Sequence, residues 1–352
     1  MSEGQTMGGA ARILHLHSSF NLGGKEARCV QLINAFGPAA AHTIVSAMVG
    51  AMGAVERIAP GITVDMPGDF PALQGRPTPL RLWQLARAMR GFDLVLTYNF
   101  GSMDAVMAHR LYGGMLGLPP LVHHEDGFNQ EEAVRLRRSR NWYRAVALGR
   151  AAALVVPSQR LEGIALGPWH QPRGRVRRIP NGIDTAAYAV PPRPDAIPGL
   201  PKREGDLWLG TLAGLRAVKN LPRLVRSFAE MPQDWHLVIL GEGPERAVIV
   251  DTAARLGLGE RVHLPGFAPD PAQAVGLFDL FALSSDSEQF PISVVEAMAA
   301  GLAVAAPAVG DVAAMVAPAN RPYLSAVGDE AGLAGTSRGD GGHGSSGGHA
   351  SL

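Results

Sequence analysis

The sequence predicts an α/β protein made of two consecutive doubly wound domains. Short apolar runs of strand length recur along the chain, and each is followed by a turn and a segment with helical spacing. The runs are continuous rather than alternating, which is typical of parallel strands that are covered on both faces. A chain of 352 residues is also too long for one ordinary core and suits two domains of roughly 150 residues.

The first domain is predicted to occupy residues 1–189. Its alternation of predicted strands and helices stops near Asn181–Asp184. Residues 190–201 are rich in proline, which continues neither a helix nor a central strand. We therefore interpret 190–201 as a linker. The predicted strands of this domain are Ile13–Leu16, Thr43–Val45, Asp93–Leu96, Leu121–His123 and Ala153–Val156.

The same alternation of strands and helices then predicts a second domain over residues 202–330. Two such units in succession predict a cleft between domains, where ligands meet the carboxyl ends of the strands. Residues 331–352 are mostly Gly, Ser and His, a composition that predicts a disordered tail. The predicted elements are strands Leu207–Gly210, His236–Leu240, Val262–Leu264, Leu280–Leu283 and Val304–Ala306, and helices Pro222–Glu230 and Ala247–Leu256.

Composition narrows the class of protein. Hydrophobic residues make up 47% of the chain and charged residues 18%, as in a compact globular protein. A net charge of +1 gives no global field to attract nucleic acid. The one cysteine, Cys29, is expected in the core, because it has no partner for a disulfide. No signal peptide or membrane-spanning run is visible, so we expect a cytoplasmic protein.

Two acidic residues near the carboxyl end stand out. Glu288 and Glu296 flank the segment Phe290-Pro291-Ile292, and Gly301 follows an apolar run. Proline suits the first turn of a helix and glycine its end. The sequence thus predicts carboxylates where a loop meets a helix N-terminus, a place suited to binding sugar hydroxyls and a nucleotide.

Two basic residues complement this pair. Arg216 and Lys219 precede a helix whose predicted N-cap is Asn220. A diphosphate there would meet backbone N–H groups, the positive end of the helix dipole and two cations. Such cations stabilise a departing phosphate without a metal ion.

Two glycine pairs and a histidine pair follow predicted strands. Gly241 and Gly243 form either a simple turn or a nucleotide-facing loop, while Gly23 and Gly24 let the backbone approach a ligand closely. His123-His124 ends a strand, where titratable groups are favoured for function. Alternate strand residues face opposite ways, and we favour His123, because it directly follows the apolar residues. The choice between the two histidines stays open.

In this order, the motifs resemble the retaining glycosyltransferases of family 4, from Ile13 to about Leu324. The resemblance implies a GT-B fold with two Rossmann-like domains and transfer of a sugar from a nucleotide-diphosphate sugar with retention of anomeric configuration. No cofactor or metal is implied. The matching motifs are Asn21–Gly24, Pro180–Asp184, Gly214–Asn220, Gly241–Pro244 and the Glu288/Glu296 pair.

The resemblance also implies roles for single residues. Arg216 and Lys219 would bind the diphosphate, Glu296 the ribose, and Glu288 the donor sugar at the reacting carbon. One histidine, His123 or His124, would position donor or acceptor. Further donor contacts are expected from the loop residues of the matched motifs, and cleft contacts from the first glycine pair. These residues are Phe290, Pro291, Ile292, Gly241, Gly243, Gly23 and Gly24.

Several alternatives remain at this stage. The basic and aromatic stretch Arg135–Arg144 is either a solvated helix face or a contact with anionic membrane, and in the latter case the acceptor would be a lipid-linked saccharide. Family members continue past the position of Leu324, so the second domain is expected to be incomplete. The competing functions are a non-catalytic nucleotide-sugar-binding remnant and, more distantly, a sugar-nucleotide epimerase.

Overall fold

The computed structural model describes residues 10–338 apart from 22, 49, 129–131, 133–135 and 269. The chain forms two compact units. The first comprises Met1–Phe128 and Arg135–Pro180, and the second comprises Asn129–Val134 and Asn181–Leu352. The second unit therefore includes residues 181–201, which lie before the predicted start of the second domain at residue 202.

The proline-rich segment is part of the second unit rather than a free linker. Ala196 and Ile197 are buried in the core of that unit beside Trp208. Proline disfavours helix interiors and central strands, but it does not reveal where a segment packs. The interpretation of residues 190–201 as a linker is therefore wrong, because this segment contributes to the core of the second unit.

The first unit contains a seven-stranded sheet in the order β3-β2-β1-β4-β5-β6-β7, and all its neighbouring strands are parallel. Its strands are β1 (Ala11–His17), β2 (Ala40–Ser46), β3 (Val64–Asp65), β4 (Leu94–Tyr98), β5 (Leu121–His124), β6 (Ala153–Val156) and β7 (Val176–Arg178). Its helices include α1 (Gly24–Phe36), α2 (Pro79–Ala88), α3 (Met103–Leu116), α4 (Arg138–Ala147) and α5 (Gln159–Leu166).

The second unit contains a six-stranded sheet in the order β10-β9-β8-β11-β12-β13, again parallel throughout. Its helices include α6 (Thr185–Tyr188), α7 (Leu221–Phe228), α8 (Arg246–Arg255), α9 (Pro271–Gly276), α10 (Ile292–Ala299), α11 (Val312–Met315) and α12 (Glu330–Arg338). Its strands are β8 (Leu207–Leu212), β9 (Trp235–Leu240), β10 (Val262–Gly266), β11 (Leu280–Ala282), β12 (Val304–Pro307) and β13 (Leu324–Ser325).

The two parallel sheets confirm the predicted fold class. All strands predicted from continuous apolar runs are present, because burial on both faces produces such runs. The sequence missed β3, β7 and β13, which have two or three residues each and lie at sheet edges. Strands this short give no recognisable pattern.

Helix α12 corrects the prediction that the tail is disordered from residue 331. Leu333 and Ala334 are buried, and Glu330 pairs with Arg226 of α7 through Nη2 and Oε2 at 2.7 Å. The few apolar residues of this segment were masked by the glycine-rich composition around them. Residues 339–352 of the predicted tail lie outside the described residues. Within the described chain, no helix combines the length and apolarity needed to cross a bilayer.

Candidate functional site

One of the two predicted cations, Lys219, contacts one of the two predicted acids, Glu288, in the second unit. Lys219 Nζ lies 2.5 Å from Glu288 Oε1, and both side chains are largely buried, with 17% and 11% exposure. Lys219 ends a single helical turn, Ala217–Lys219, after strand β8, and Glu288 lies in the loop between β11 and α10. Because parallel strands end at the same edge of the sheet, the carboxyl ends of β8 and β11 bring these loops together.

Hydrogen bonds fix one loop on the other. Ser284 Oγ donates to the Lys219 carbonyl oxygen at 2.9 Å, and the Asp286 amide donates to the Val218 carbonyl oxygen at 2.9 Å. Asn220 has a left-handed backbone with φ of 44°, and its side chain does not cap α7. Its amide instead donates to Asp286. Asn220 thus occupies the predicted N-cap position of α7, but its side chain caps no helix amide and instead helps to join the two loops.

Arg216 lies at the start of the same turn, with an exposed side chain whose Nε is close to Gly214. Among the described residues, no hydrogen bond or ion pair joins Arg216 to Glu288 or Glu296. The structure thus places Lys219 and Glu288 together, while the expected part of Arg216 in binding a diphosphate stays a prediction.

Gly241 and Gly243 support the backbone that precedes Arg216. They have φ values of 136° and 158°, and a Cβ at Gly241 would lie 2.0 Å from the Ala213 carbonyl oxygen. A Cβ at Gly243 would lie 2.5 Å from the Leu215 carbonyl oxygen. Glycine is required because two backbones meet here. Close packing of the backbone explains why glycine occupies both positions, and the contact of Gly241 and Gly243 with a nucleotide stays a prediction.

We expect Gly241→Ala to destabilise the second unit by about 1–3 kcal/mol, because the new Cβ meets a backbone oxygen that cannot rotate away. Gly257→Ala is the matched control, since Gly257 also has a positive φ of 68° but no atom within 4 Å of its added Cβ. Urea unfolding of both variants measures the difference. Equal losses in the two variants would show that backbone strain alone, and not the close approach, requires glycine at position 241.

Glu296 lies in the second turn of α10, not at its start. The first turn of this helix contains no acidic residue, so the helix N-terminus is not the main influence on the carboxyl group. Burial raises the pKa of Glu296, and a hydrogen bond from Tyr188 opposes that rise. Tyr188 Oη donates to Glu296 Oε1 at 2.9 Å. Glu296 therefore lies in the opening turns of the helix, as predicted, and burial is the largest influence on its pKa.

The backbone between the two acids is held at three points. Asn181 Nδ2 donates to the Phe290 carbonyl oxygen at 3.0 Å, and Pro291 occupies the N-cap position directly before Ile292. Gly310, with φ of 58°, packs against the backbone of Glu288, where a Cβ would lie 2.5 Å from its carbonyl oxygen. The predicted end of the helix at Gly301 is confirmed, since Gly301 has φ of 75°.

In the first unit, the two candidate histidines have different surroundings, and the preference for His123 as the positioning residue stays a prediction. His123 is fully buried, and both of its ring nitrogens have protein partners: Thr97 Oγ1 at 2.8 Å and Glu125 Oε2 at 3.4 Å. His124 stacks on Tyr98 with ring centroids 4.9 Å apart, and its buried Nδ1 has no partner. His124 is thus the histidine with an unused hydrogen-bonding atom, and His123 belongs to a packed network.

That network also contains Arg144, the last residue of the predicted basic surface. Arg144 is fully buried, its Nε donates to Glu125 Oε2 at 3.2 Å, and its guanidinium lies over the rings of Phe100 and Trp169. The prediction that Arg144 faces outward is wrong. Arg135 lies outside the described residues, whereas Trp142 is 67% exposed.

The predicted glycine turn of the first unit is present. Gly23 occupies the N-cap position of α1 with an extended backbone, and Gly24 is the first residue of the helix. Lys25 Nζ donates to the Ser19 carbonyl oxygen at 3.0 Å and thus closes the turn. The contact of Gly23 and Gly24 with a ligand stays a prediction.

A cluster of buried imidazoles lies beside this turn. His15 Nδ1 is 3.3 Å from Cys29 Sγ and His15 Nε2 is 2.9 Å from His42 Nδ1. Cys29 is fully buried, which confirms its expected place in the core, and burial raises the pKa of its thiol to about 12. Within the described chain, one cluster of three side chains has metal-ligating atoms close enough to share an ion. Its members are His15, His17 and Cys29, whose ligand atoms lie within 4.8 Å of one another.

His17 is the residue of this cluster whose two buried ring nitrogens lack hydrogen-bond partners. Its ring stacks on Tyr98 with centroids 4.0 Å apart. Burial holds the pKa of His17 well below its usual value of 6.5, so the folded state keeps the ring neutral. The unfolded state takes up a proton below pH 6.5, and stability is lost as the pH falls.

We expect His17→Phe to remove this loss. Between pH 6.5 and 5.5, the free energy of unfolding of the variant should fall by about 1 kcal/mol less than that of the unchanged protein. Urea unfolding at several pH values measures the difference. The same pH dependence in both proteins would show that His17 takes up its proton without unfolding.

Comparisons with known proteins find relatives of both units. The family model described as Glycosyltransferase Family 4 matches residues 22–187, and that described as Glycosyl transferases group 1 matches residues 192–337. A 2-deoxystreptamine glucosyltransferase of Streptomyces kanamyceticus is 29% identical over 199 residues, which are 54% of this chain and 51% of that protein. A GDP-mannose-dependent alpha-mannosyltransferase of Mycobacterium tuberculosis is 27% identical over 277 residues, 74% of this chain and 68% of that protein.

The chain spans 51%, 35% and 56% of the length of three curated relatives that it matches. Among solved structures, Anabaena Alr3699/HepE in complex with UDP has a TM-score of 0.74 at 21% identity, covering 92% of this chain and 88% of that one. WaaG, a glycosyltransferase involved in lipopolysaccharide biosynthesis, has a TM-score of 0.67 at 17% identity, covering 94% and 90%. These structural likenesses concern the fold. With one family model on each α/β unit, the chain belongs to the GT-B glycosyltransferases of family 4.

Proposed function

We propose that this glycosyltransferase moves a sugar from a nucleotide-diphosphate sugar to a saccharide or lipid-linked acceptor, with retention of anomeric configuration and without a metal ion. The observation that carries the proposal is the contact of Lys219 with Glu288 at the carboxyl edge of the second sheet. A cation and a carboxylate side by side suit the two ends of such a donor, its diphosphate and its sugar hydroxyls.

The donor class is supported by the relatives. A solved structure of HepE contains UDP-glucose, and the mycobacterial relative is named as GDP-mannose-dependent. In this chain, Lys219 and Arg216 would bind the diphosphate, Glu288 the sugar and Glu296 the ribose. Loop residues of the same unit would bind the rest of the donor through their backbone. These are Phe290, Pro291, Ile292, Gly241 and Gly243.

The donor and the acceptor supply every group that the proposed reaction needs. The bond between the anomeric carbon and the diphosphate oxygen breaks, and the acceptor oxygen bonds to that carbon on the same face. The acceptor proton moves to the departing diphosphate. Lys219 and Arg216 stabilise the negative charge of the leaving group, and Glu288 stabilises the positive charge that develops on the sugar.

Calorimetry with UDP, GDP and ADP, followed by an assay of nucleotide release from UDP-glucose and GDP-mannose with and without added saccharides, tests the proposal. Retention is read from the anomeric coupling constant of the product by NMR. Binding without sugar transfer would identify a non-catalytic nucleotide-sugar-binding protein, and conversion of the donor sugar without an acceptor would identify an epimerase. Either result would overturn the proposal.

For a lipid-linked acceptor, we propose that helix α4 contacts an anionic membrane surface. Arg138 and Trp142 of this helix are exposed, and a basic helix with an exposed aromatic residue suits the interface of a bilayer. Co-sedimentation with vesicles containing phosphatidylglycerol tests this contact, with Trp142→Ala expected to reduce binding. Equal binding of both proteins, or none, would contradict it.

A further inference from the structure

The phenol of Tyr188 is joined to the candidate ribose carboxylate by a hydrogen bond between residues far apart in the sequence. Its Oη lies 2.9 Å from Glu296 Oε1. Within the described part of the chain, no other hydrogen bond to the Glu296 carboxylate is found. One oxygen is thereby fixed by a neutral donor, and Oε2 stays available to a ligand.

The ring of Tyr188 is itself held in place. It packs against the core of the second unit and lies at the end of α6, a short helix whose N-cap, Asp184, accepts a hydrogen bond from the Ala186 amide at 3.1 Å. The phenol therefore approaches Glu296 from a supported position. A carboxylate held by a supported partner loses less rotational freedom when a ligand binds, and this preorganisation strengthens the hydrogen bonds that its other oxygen accepts from hydroxyls.

We propose that Tyr188 is a positioning residue, which orients Glu296 toward the vicinal hydroxyls of a nucleotide ribose and so favours ribonucleotides over 2′-deoxyribonucleotides. This inference rests on the proposed function, because it takes Glu296 as the ribose-binding acid. No motif in the sequence singles out Tyr188, which lies just beyond the Pro180–Asp184 motif.

The local charges agree with this role. Burial raises the pKa of Glu296, and the Tyr188 hydrogen bond lowers it. The elements packed against α10 contribute Tyr188 from α6 and Asp270 at the start of α9, while β12 contributes no titratable side chain. Asp270 is occupied with the amides of α9. Loss of the phenol should therefore raise the pKa of Glu296 further and weaken nucleotide binding first at acidic pH.

The experiment compares UDP with 2′-deoxy-UDP by calorimetry for the unchanged protein, Tyr188→Phe and the control Tyr323→Phe. The GDP and ADP pairs are run in parallel in case another base is preferred. Tyr323 is also partly buried and belongs to the same unit. A hydrogen bond from the ribose 2′-hydroxyl to a charged carboxylate should make the ribonucleotide bind at least about tenfold more tightly than the 2′-deoxyribonucleotide. We expect that preference in the unchanged protein and in Tyr323→Phe, and about a twofold preference or less in Tyr188→Phe.

The outcomes separate the two proposals. If Tyr188→Phe weakens both nucleotides equally, or changes neither, the positioning role is overturned while the proposed function stands. If the unchanged protein binds no nucleotide at millimolar concentration, both are overturned. Support for the positioning role requires the loss of ribose preference together with an acid limb of UDP binding that moves to higher pH.

Discussion

Substituting alanine for Lys219 should weaken binding of a nucleoside diphosphate by about 100-fold, equivalent to about 3 kcal/mol. The change removes the cation and also leaves the largely buried Glu288 without the ammonium that lies 2.5 Å away. An unpaired carboxylate at that place would repel a diphosphate. Calorimetry with UDP, GDP and ADP measures the loss.

Lys202→Ala is the matched control for this substitution. Lys202 belongs to the same unit and also pairs with an acid, Asp279, at 2.7 Å, but it precedes β8 in the chain instead of following it. We expect its affinity for nucleotides to be unchanged. If Lys219→Ala bound nucleotide as tightly as Lys202→Ala, the phosphate-binding site would lie elsewhere in the protein.

Substituting methionine for Arg144 should destabilise the first unit by about 3–5 kcal/mol, because it leaves Glu125 buried without its cation. Glu125 is fully buried, and the guanidinium of Arg144 is the largest influence that lowers the pKa of this carboxyl group. The substitution also removes the contact of Arg144 with Phe100 and Trp169. Urea unfolding measures the change.

The double variant Arg144→Met/Glu125→Leu should recover much of this stability, since an apolar pair leaves no buried charge. Arg255→Met is the control, because Arg255 pairs with Asp251 on an exposed helix face and such pairs contribute less than about 1 kcal/mol. A loss in Arg144→Met no larger than that in Arg255→Met would mean that water reaches Glu125 in the folded protein.

The sequence alone predicted the fold class and most elements of both sheets. Continuous apolar runs such as Leu280–Leu283 identify parallel strands, because burial on both faces leaves a pattern in neighbouring residues. The sequence also indicates that a basic loop and an acidic loop lie near each other. Lys219 and Glu288 each follow a strand, and parallel strands end at the same edge of the sheet. Short edge strands such as β7 left no comparable pattern.

The sequence by itself determined the architecture and the family, while the residues that it assigns to a diphosphate and a sugar stay predictions. Only the tertiary structure decided that His123 is enclosed in a network while His124 keeps an unused nitrogen, that Arg144 points inward, and that Tyr188 holds Glu296. Periodicity reports which face of its own element a residue occupies. The partner of a polar side chain depends on contacts between distant parts of the chain, and those exist only once the strands and helices have packed.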